Sequence, residues 1–256
     1  MNRIQKLFSK PKEKLIPFLT AGYPKLNSTV ELVFTAAKAG ADMVEIGIPF
    51  SDPQADGLVI QASSQKALDN GMTLNTIFEQ VSEIRTKTDV PITLMGYYNP
   101  ILKMGHETFL NRCVSAGVDG IILPDLPLQE AELFCELAKA KGVSPILLVA
   151  PNTPNARIRK ISKLAGDLIY AVSVLGITGN NLESKDTLAA YLNRVREHSI
   201  TPFVVGFGIS TRDDVKWFNK YTDGAVVGSA IIKNMDGYSD PIKATKLLIQ
   251  KLKGKL

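Results

Sequence analysis

Cysteine, histidine and tryptophan are scarce in this chain, and each scarcity removes a class of chemistry. There are two Cys, two His and one Trp in 256 residues. Cys113 and Cys135 stand in helix-patterned segments at a separation that matches no metal or redox motif, so both are assigned to packing and a reducing compartment is expected. His106 and His198 lie far apart, and neither has an Asp or Glu at ligand spacing, which argues against metal catalysis. Trp217 falls in a helical stretch with no interleaving of basic and aromatic residues. A nucleic-acid platform is therefore not expected, although the formal charge is +5. No apolar run reaches the roughly 18 residues of a membrane-spanning helix. Met1 to Lys14 has no apolar signal core, and a soluble, cytoplasmic protein is expected. A Gly-x-Ser-x-Gly elbow, a Gly-x-Gly-x-x-Gly fingerprint and a strand-terminal Lys are all missing, so serine-hydrolase, dinucleotide and Schiff-base chemistry lack their residues. Carboxylates remain.

What is present is a recurring pattern. Apolar runs of strand length stand at Leu15–Leu19, Met43–Ile46, Ile92–Met95, Gly120–Leu123, Pro145–Val149, Leu168–Val172, Pro202–Val205 and Ala225–Val227, separated by helix-patterned segments. Strands joined through helices pair in parallel, and eight such units in a chain near 250 residues predict a closed (β/α)8 TIM barrel. The expectation is one domain over 1–256. It carries a short N-terminal helix at Arg3–Ser9, an extra helix after strand two (Ile60–Leu68 followed by Thr73–Ile84), and a terminal helix at Ile242–Leu252 covering the seam between strands eight and one.

In a barrel of this kind chemistry gathers where strands end and their loops begin. Strand two ends on an anomaly. With a period of two, Met43 and Glu45 share one face and Val44 and Ile46 the other, which places a carboxyl in a strand covered on both sides. Desolvation raises the pKa of such a group towards neutrality, where it serves acid-base catalysis; the alternative is a core Glu paired with Lys or Arg. Asp52 and Asp56 follow in the next loop. Asp125, flanked by Pro124 and Pro127, stands after strand four as a substrate contact or a turn residue. After strands six, seven and eight come Gly176-Ile177-Thr178-Gly179, Gly206-Phe207-Gly208-Ile209-Ser210 and Gly228-Ser229. Small residues there let a ligand approach the backbone, and a hydroxyl at a helix start adds to an anion cradle, so a phosphomonoester site is expected.

The segments Pro17 to Pro24, Glu45 to Gly57 and Leu94 to Pro100, together with the three Gly-rich loops, occur in an order that resembles the tryptophan synthase α subunit nearly end to end. The loop Pro49-Phe50-Ser51-Asp52-Pro53-Gln54-Ala55-Asp56-Gly57 is its most specific part. The resemblance implies a lyase that reversibly splits indole-3-glycerol phosphate into indole and glyceraldehyde 3-phosphate. It makes Glu45 the general acid-base and Asp56 the acceptor of the indole N–H. Tyr170, Phe18, Leu94, Ile122, Thr178 and Phe207 would contact the substrate, with barrel core as the other reading of the apolar ones. Gly179, Gly208, Gly228 and Ser229 would hold the phosphate. No metal and no cofactor are implied for this chain, because pyridoxal phosphate belongs to the partner β subunit of an α2β2 tetramer. Pro49, Asp52, Pro53 and Asn99 would face that partner, with Thr178 to Lys185 as a lid. Two departures stand out. Leu58 replaces the Pro usual after Asp-Gly, which is expected to loosen the loop, and Asn180-Asn181 replaces a frequent Ala-Arg in the lid. A non-catalytic activator of the β subunit, a stand-alone lyase and another phosphate-binding barrel isomerase are the competing readings.

Overall fold

The computed structural model describes residues 1–173, 184–206 and 208–256. Eight parallel strands close into a barrel in sequence order: β1 (Leu15–Thr20), β2 (Val44–Gly47), β3 (Ile92–Met95), β4 (Gly120–Ile122), β5 (Ser144–Val149), β6 (Ile169–Val172), β7 (Phe203–Gly206) and β8 (Gly224–Val227). Pairing of Ile16 with Val226 closes the ring, and Phe18, Glu45 and Thr93 lie side by side across β1, β2 and β3. Helices fill the connections: α1 (Arg3–Phe8), α2 (Ser28–Ala39), α3 (Leu58–Asp69), α4 (Leu74–Arg85), α5 (Tyr98–Met104), α6 (His106–Ala116), α7 (Ala131–Ala140), α8 (Asn155–Leu164), α9 (Lys185–His198), α10 (Arg212–Phe218), α11 (Ser229–Asp236) and α12 (Pro241–Leu252).

The two faces of each strand bury different cores. Val44, Ile46, Ile92 and Leu94 point outward into the layer shared with the helices, whereas Ile16, Phe18, Met43, Met95, Ile122, Tyr170 and Val226 fill the barrel interior. Ile4 of α1 joins that interior cluster and is fully buried, so the leading helix acts as a plug. Asn2 caps it and is answered by Gln5 in a reciprocal box. The terminal helix α12 packs on α2 and α11, and those two helices in turn contact β1.

Paired helices follow β3 and β8 as well as β2. The segment Tyr98-Asn99-Pro100 is the first turn of α5, where Pro lacks only an amide that has no intrahelical acceptor. Asp125, in the loop after the neighbouring strand β4, starts that helix. Its carboxylate accepts the Tyr98 amide at 2.9 and 3.1 Å, which favours the turn reading over substrate contact.

Beneath the barrel, Asp119 is 6% exposed and accepts from the Ile92 amide at 2.8 Å, from Arg85 and from Arg3. Removing it leaves the mostly buried Arg85 charge with backbone carbonyls of Gly117 and Val90 but without its ion-pair carboxylate. Asp119→Ala is expected to lower the unfolding free energy by about 3 kcal/mol, read as an earlier urea midpoint at unchanged slope.

Candidate active site

Strand alternation carries Glu45 into the barrel, on the same side as Met43. The residue is 1% exposed, and its Oε2 has no hydrogen-bond partner among the described residues. No described Lys or Arg forms an ion pair with it, which removes the reading of a core Glu neutralised by a base. Burial, and then the nearby charge of Asp56, push its pKa up to about 8. At neutral pH this carboxyl is mostly a proton donor.

Asp56 reaches the same cavity from the loop after β2. Burial pushes its pKa up to about 6, and a hydrogen bond from the Tyr97 hydroxyl at 3.0 Å to Oδ2 pulls the other way. Tyr97 also accepts the Ala55 amide at 2.8 Å and stacks on Phe50 with ring centroids 5.0 Å apart. One side chain from the end of β3 thus holds the acidic loop at three points. Tyr97→Phe is expected to raise the Asp56 pKa, so the acidic limb of the activity profile should move upward from about 6. A profile that stays in place would show that the hydroxyl only packs.

Both carboxyls line a cavity of about 350 Å³ together with Phe18, Met95, Tyr170, Gly208, Gly228, Ser229 and Lys233. Tyr170 is 4% exposed, and burial with the charges of Glu45 and Asp56 holds its phenol protonated. Two of the expected ring contacts move. Leu94 sits in the outer core, because inward and outward positions alternate along β3, and Met95 takes the cavity position in its place. Ile122 does face the interior but lies outside the residues that line the cavity. Thr178, Gly179 and Phe207 fall outside the described residues, as does most of the expected lid.

At the phosphate end, Gly208 has φ +75°, a conformation that favours glycine. Gly228 has a negative φ of −112°, and a methyl group there would meet no described atom closer than Phe18 at 3.5 Å. Among the described residues no neighbour closes off the space beside Gly228, which borders the cavity. Ser229 begins α11, whose first amides have no acceptor within the helix. Of the expected partner-facing residues, Asp52 and Asn99 are exposed and Pro53 is half-buried, but Pro49 is buried behind its loop. Met95, Tyr97 and Lys233 were not singled out in the sequence. The register of β3 against β2 places the first, and the four-residue step from Ser229 the last.

A family model described as tryptophan synthase alpha chain matches residues 4–254. The chain belongs to the tryptophan synthase alpha chain family. The alpha chain of Petrotoga mobilis is 45% identical over 240 residues, covering 94% of this chain and 93% of that one. That of Geotalea uraniireducens is 46% identical, over 91% and 89%. Among solved structures, the alpha subunit from Legionella pneumophila superposes with TM-score 0.92 at 33% identity, covering 99% and 98% of the two chains. A chain of the α2β2 complex from Pyrococcus furiosus gives 0.89 at 39%, over 95% and 99%. Within this alpha chain fold, Leu58 stands at the first position of α3, where Pro is favoured. The helix starts there regardless, with Gly57 before it, and Leu58 lies 80% exposed at the cavity mouth. No helix among the described residues is long and apolar enough to cross a membrane.

Proposed function

We propose that this chain cleaves indole-3-glycerol phosphate to indole and glyceraldehyde 3-phosphate, with Glu45 and Asp56 as the catalytic pair. The observation that carries the assignment is a fully buried carboxyl with an unpartnered oxygen, opposite a second carboxyl of lower pKa in one cavity. Glu45 in its acid form gives a proton to indole C3, which leaves positive charge on the ring nitrogen. Ionised Asp56 accepts the ring N–H and stabilises that cation. The side-chain hydroxyl next to the scissile bond then returns a proton to Glu45 as the carbon-carbon bond breaks and its electron pair flows into the ring. No net proton is taken up or released, and Glu45 ends the cycle in its acid form. Phe18, Met95 and Tyr170 would flank the indole, and Gly208, Gly228 and Ser229 would receive the phosphate.

The pairing of acid and base forms sets the pH dependence. Asp56 must be ionised, which holds above about 6, and Glu45 protonated, which holds below about 8. Turnover is expected to peak between those values. Incubation with indole-3-glycerol phosphate, with indole and the triose phosphate measured separately, tests the reading; neither product, with or without a tryptophan synthase β chain, would sink it.

We infer further that the chain pairs with a β subunit to which it passes indole, and that pyridoxal phosphate resides on that partner. The α2β2 assembly of the Pyrococcus relative supports this pairing. Asp52 and Asn99, exposed on neighbouring segments that Phe50 and Tyr97 lock together, are the contact residues of that reading.

A further inference from the structure

The cavity holds two carboxyls and is meant, on the reading above, for a substrate that itself carries two negative charges. Backbone amides at Gly208, Gly228 and Ser229 contribute dipoles but no net charge. Lys233 is the one cationic side chain among the described residues that line this cavity. It sits four residues after Ser229 on α11, so the two side chains share a helix face and both border the cavity. The residue is exposed, and no described carboxylate forms an ion pair with it. Its nearest helical competitor would be Asp236, three residues on. There the Tyr23 hydroxyl, from the loop after β1, donates to Oδ1 of Asp236. Lys233 also borders a second, outer groove with Tyr23, Lys66 and Asp236, and this groove shares Leu58 and Val59 with the inner cavity. Lys233 therefore stands where the two spaces meet.

We propose that Lys233 is the charge-reading residue of this site: it recognises the phosphate dianion as a point charge and fixes the preference for a phosphorylated over a neutral glycerol side chain. The inference rests on the lyase reading for the identity of the substrate, but not for its test. The phosphate keeps its charge while the carbon-carbon bond breaks, so a contact to it contributes to binding in ground and transition states alike. Its removal should raise KM and leave kcat nearly untouched.

Calorimetric titration with sn-glycerol 3-phosphate reads the residue without any turnover. Lys233→Gln is expected to weaken binding about tenfold at low salt, between the values typical of exposed and of charge-assisted contacts. The loss should shrink as salt is raised, because a solvated point charge is screened. Lys233→Arg should recover binding to within about threefold. Lys251→Gln, the same change in net charge on α12, controls for the overall field and should shift binding less than about twofold. In the indole assay Lys233→Gln should raise KM by a similar factor with kcat within about twofold. Binding by Lys233→Gln equal to wild type, a loss shared by Lys251→Gln, or a fall in kcat at constant KM each overturns the proposal. Tight glycerol 3-phosphate binding that depends on Lys233, in a wild-type chain that releases no indole, would instead overturn the lyase reading and leave this one standing.

Discussion

Glu45→Gln should abolish indole release, with kcat falling by about 10³-fold, and should at the same time make the protein more stable above neutral pH. The two effects have one cause. Burial places the folded-state pKa of Glu45 at about 8, against an ordinary value of 4.5. For an acid raised in this way the folded chain binds the proton more tightly than the unfolded chain. The associated stability is fully present below the unfolded value and is lost as pH rises through the folded one. An amide cannot ionise, so the variant escapes that loss. The two proteins should unfold at similar urea concentrations near pH 4.5, and the variant should pull ahead as pH climbs to about 8 and beyond, by a few kcal/mol in order of magnitude. Urea titrations across that range, paired with an indole assay, check both halves. Loss of activity without the pH-dependent gap would mean that the amide disturbs the site sterically, not through its missing proton. A gain in stability on removing a functional group is the usual mark of an active site held against the preference of its surroundings.

The residues differ in how far the sequence alone could place them, and the reason is range. Glu45 was legible because the period of a strand is two, so a carboxyl in register with Met43 had to enter the same core as Met43. The position of Gly228 and Ser229 at the cavity follows from the placement of barrel loops after the last strands. Leu94 was misplaced for want of one datum, the face of a four-residue strand. That face follows from the register that sets Glu45 beside Thr93, which makes Thr93 and Met95 the inward pair. Register is a property of two strands separated by α3 and α4, and no local pattern within Ile92–Met95 contains it. Tyr97 and Asp125 show the same limit. The first acts through a hydrogen bond to a residue 41 positions earlier and the second through one 27 positions back. Such links appear only once the barrel has brought the loop ends together.

Gly206→Ala should be nearly as damaging as loss of the acid, though it deletes no functional group. Gly206 has no positive φ, so alanine strains nothing in the backbone itself. The conflict is with a side chain: the new methyl would overlap the Tyr170 hydroxyl oxygen and lie 2.6 Å from Cζ and 3.0 Å from Cε1. The strand cannot retreat. Gly206 pairs with Val172 in the barrel, and its carbonyl accepts both the Ser173 amide at 3.2 Å and the Ser173 hydroxyl at 2.7 Å. Tyr170 must move instead, and the free volume beside it is the catalytic cavity, which its ring lines together with Glu45 and Asp56. Displacing the ring into that space is expected to lower kcat/KM by about 10²-fold, as for a misplacement near 1 Å. Overpacking should also remove about 1–3 kcal/mol of stability. Tyr170→Phe on its own deletes only the hydroxyl and should leave the cavity open. Adding it to Gly206→Ala relieves the closest contact but not the one to Cζ, so activity should recover in part and no further. Full recovery in the double variant would place the whole conflict at the hydroxyl, and wild-type activity in Gly206→Ala would mean that the ring has another place to go.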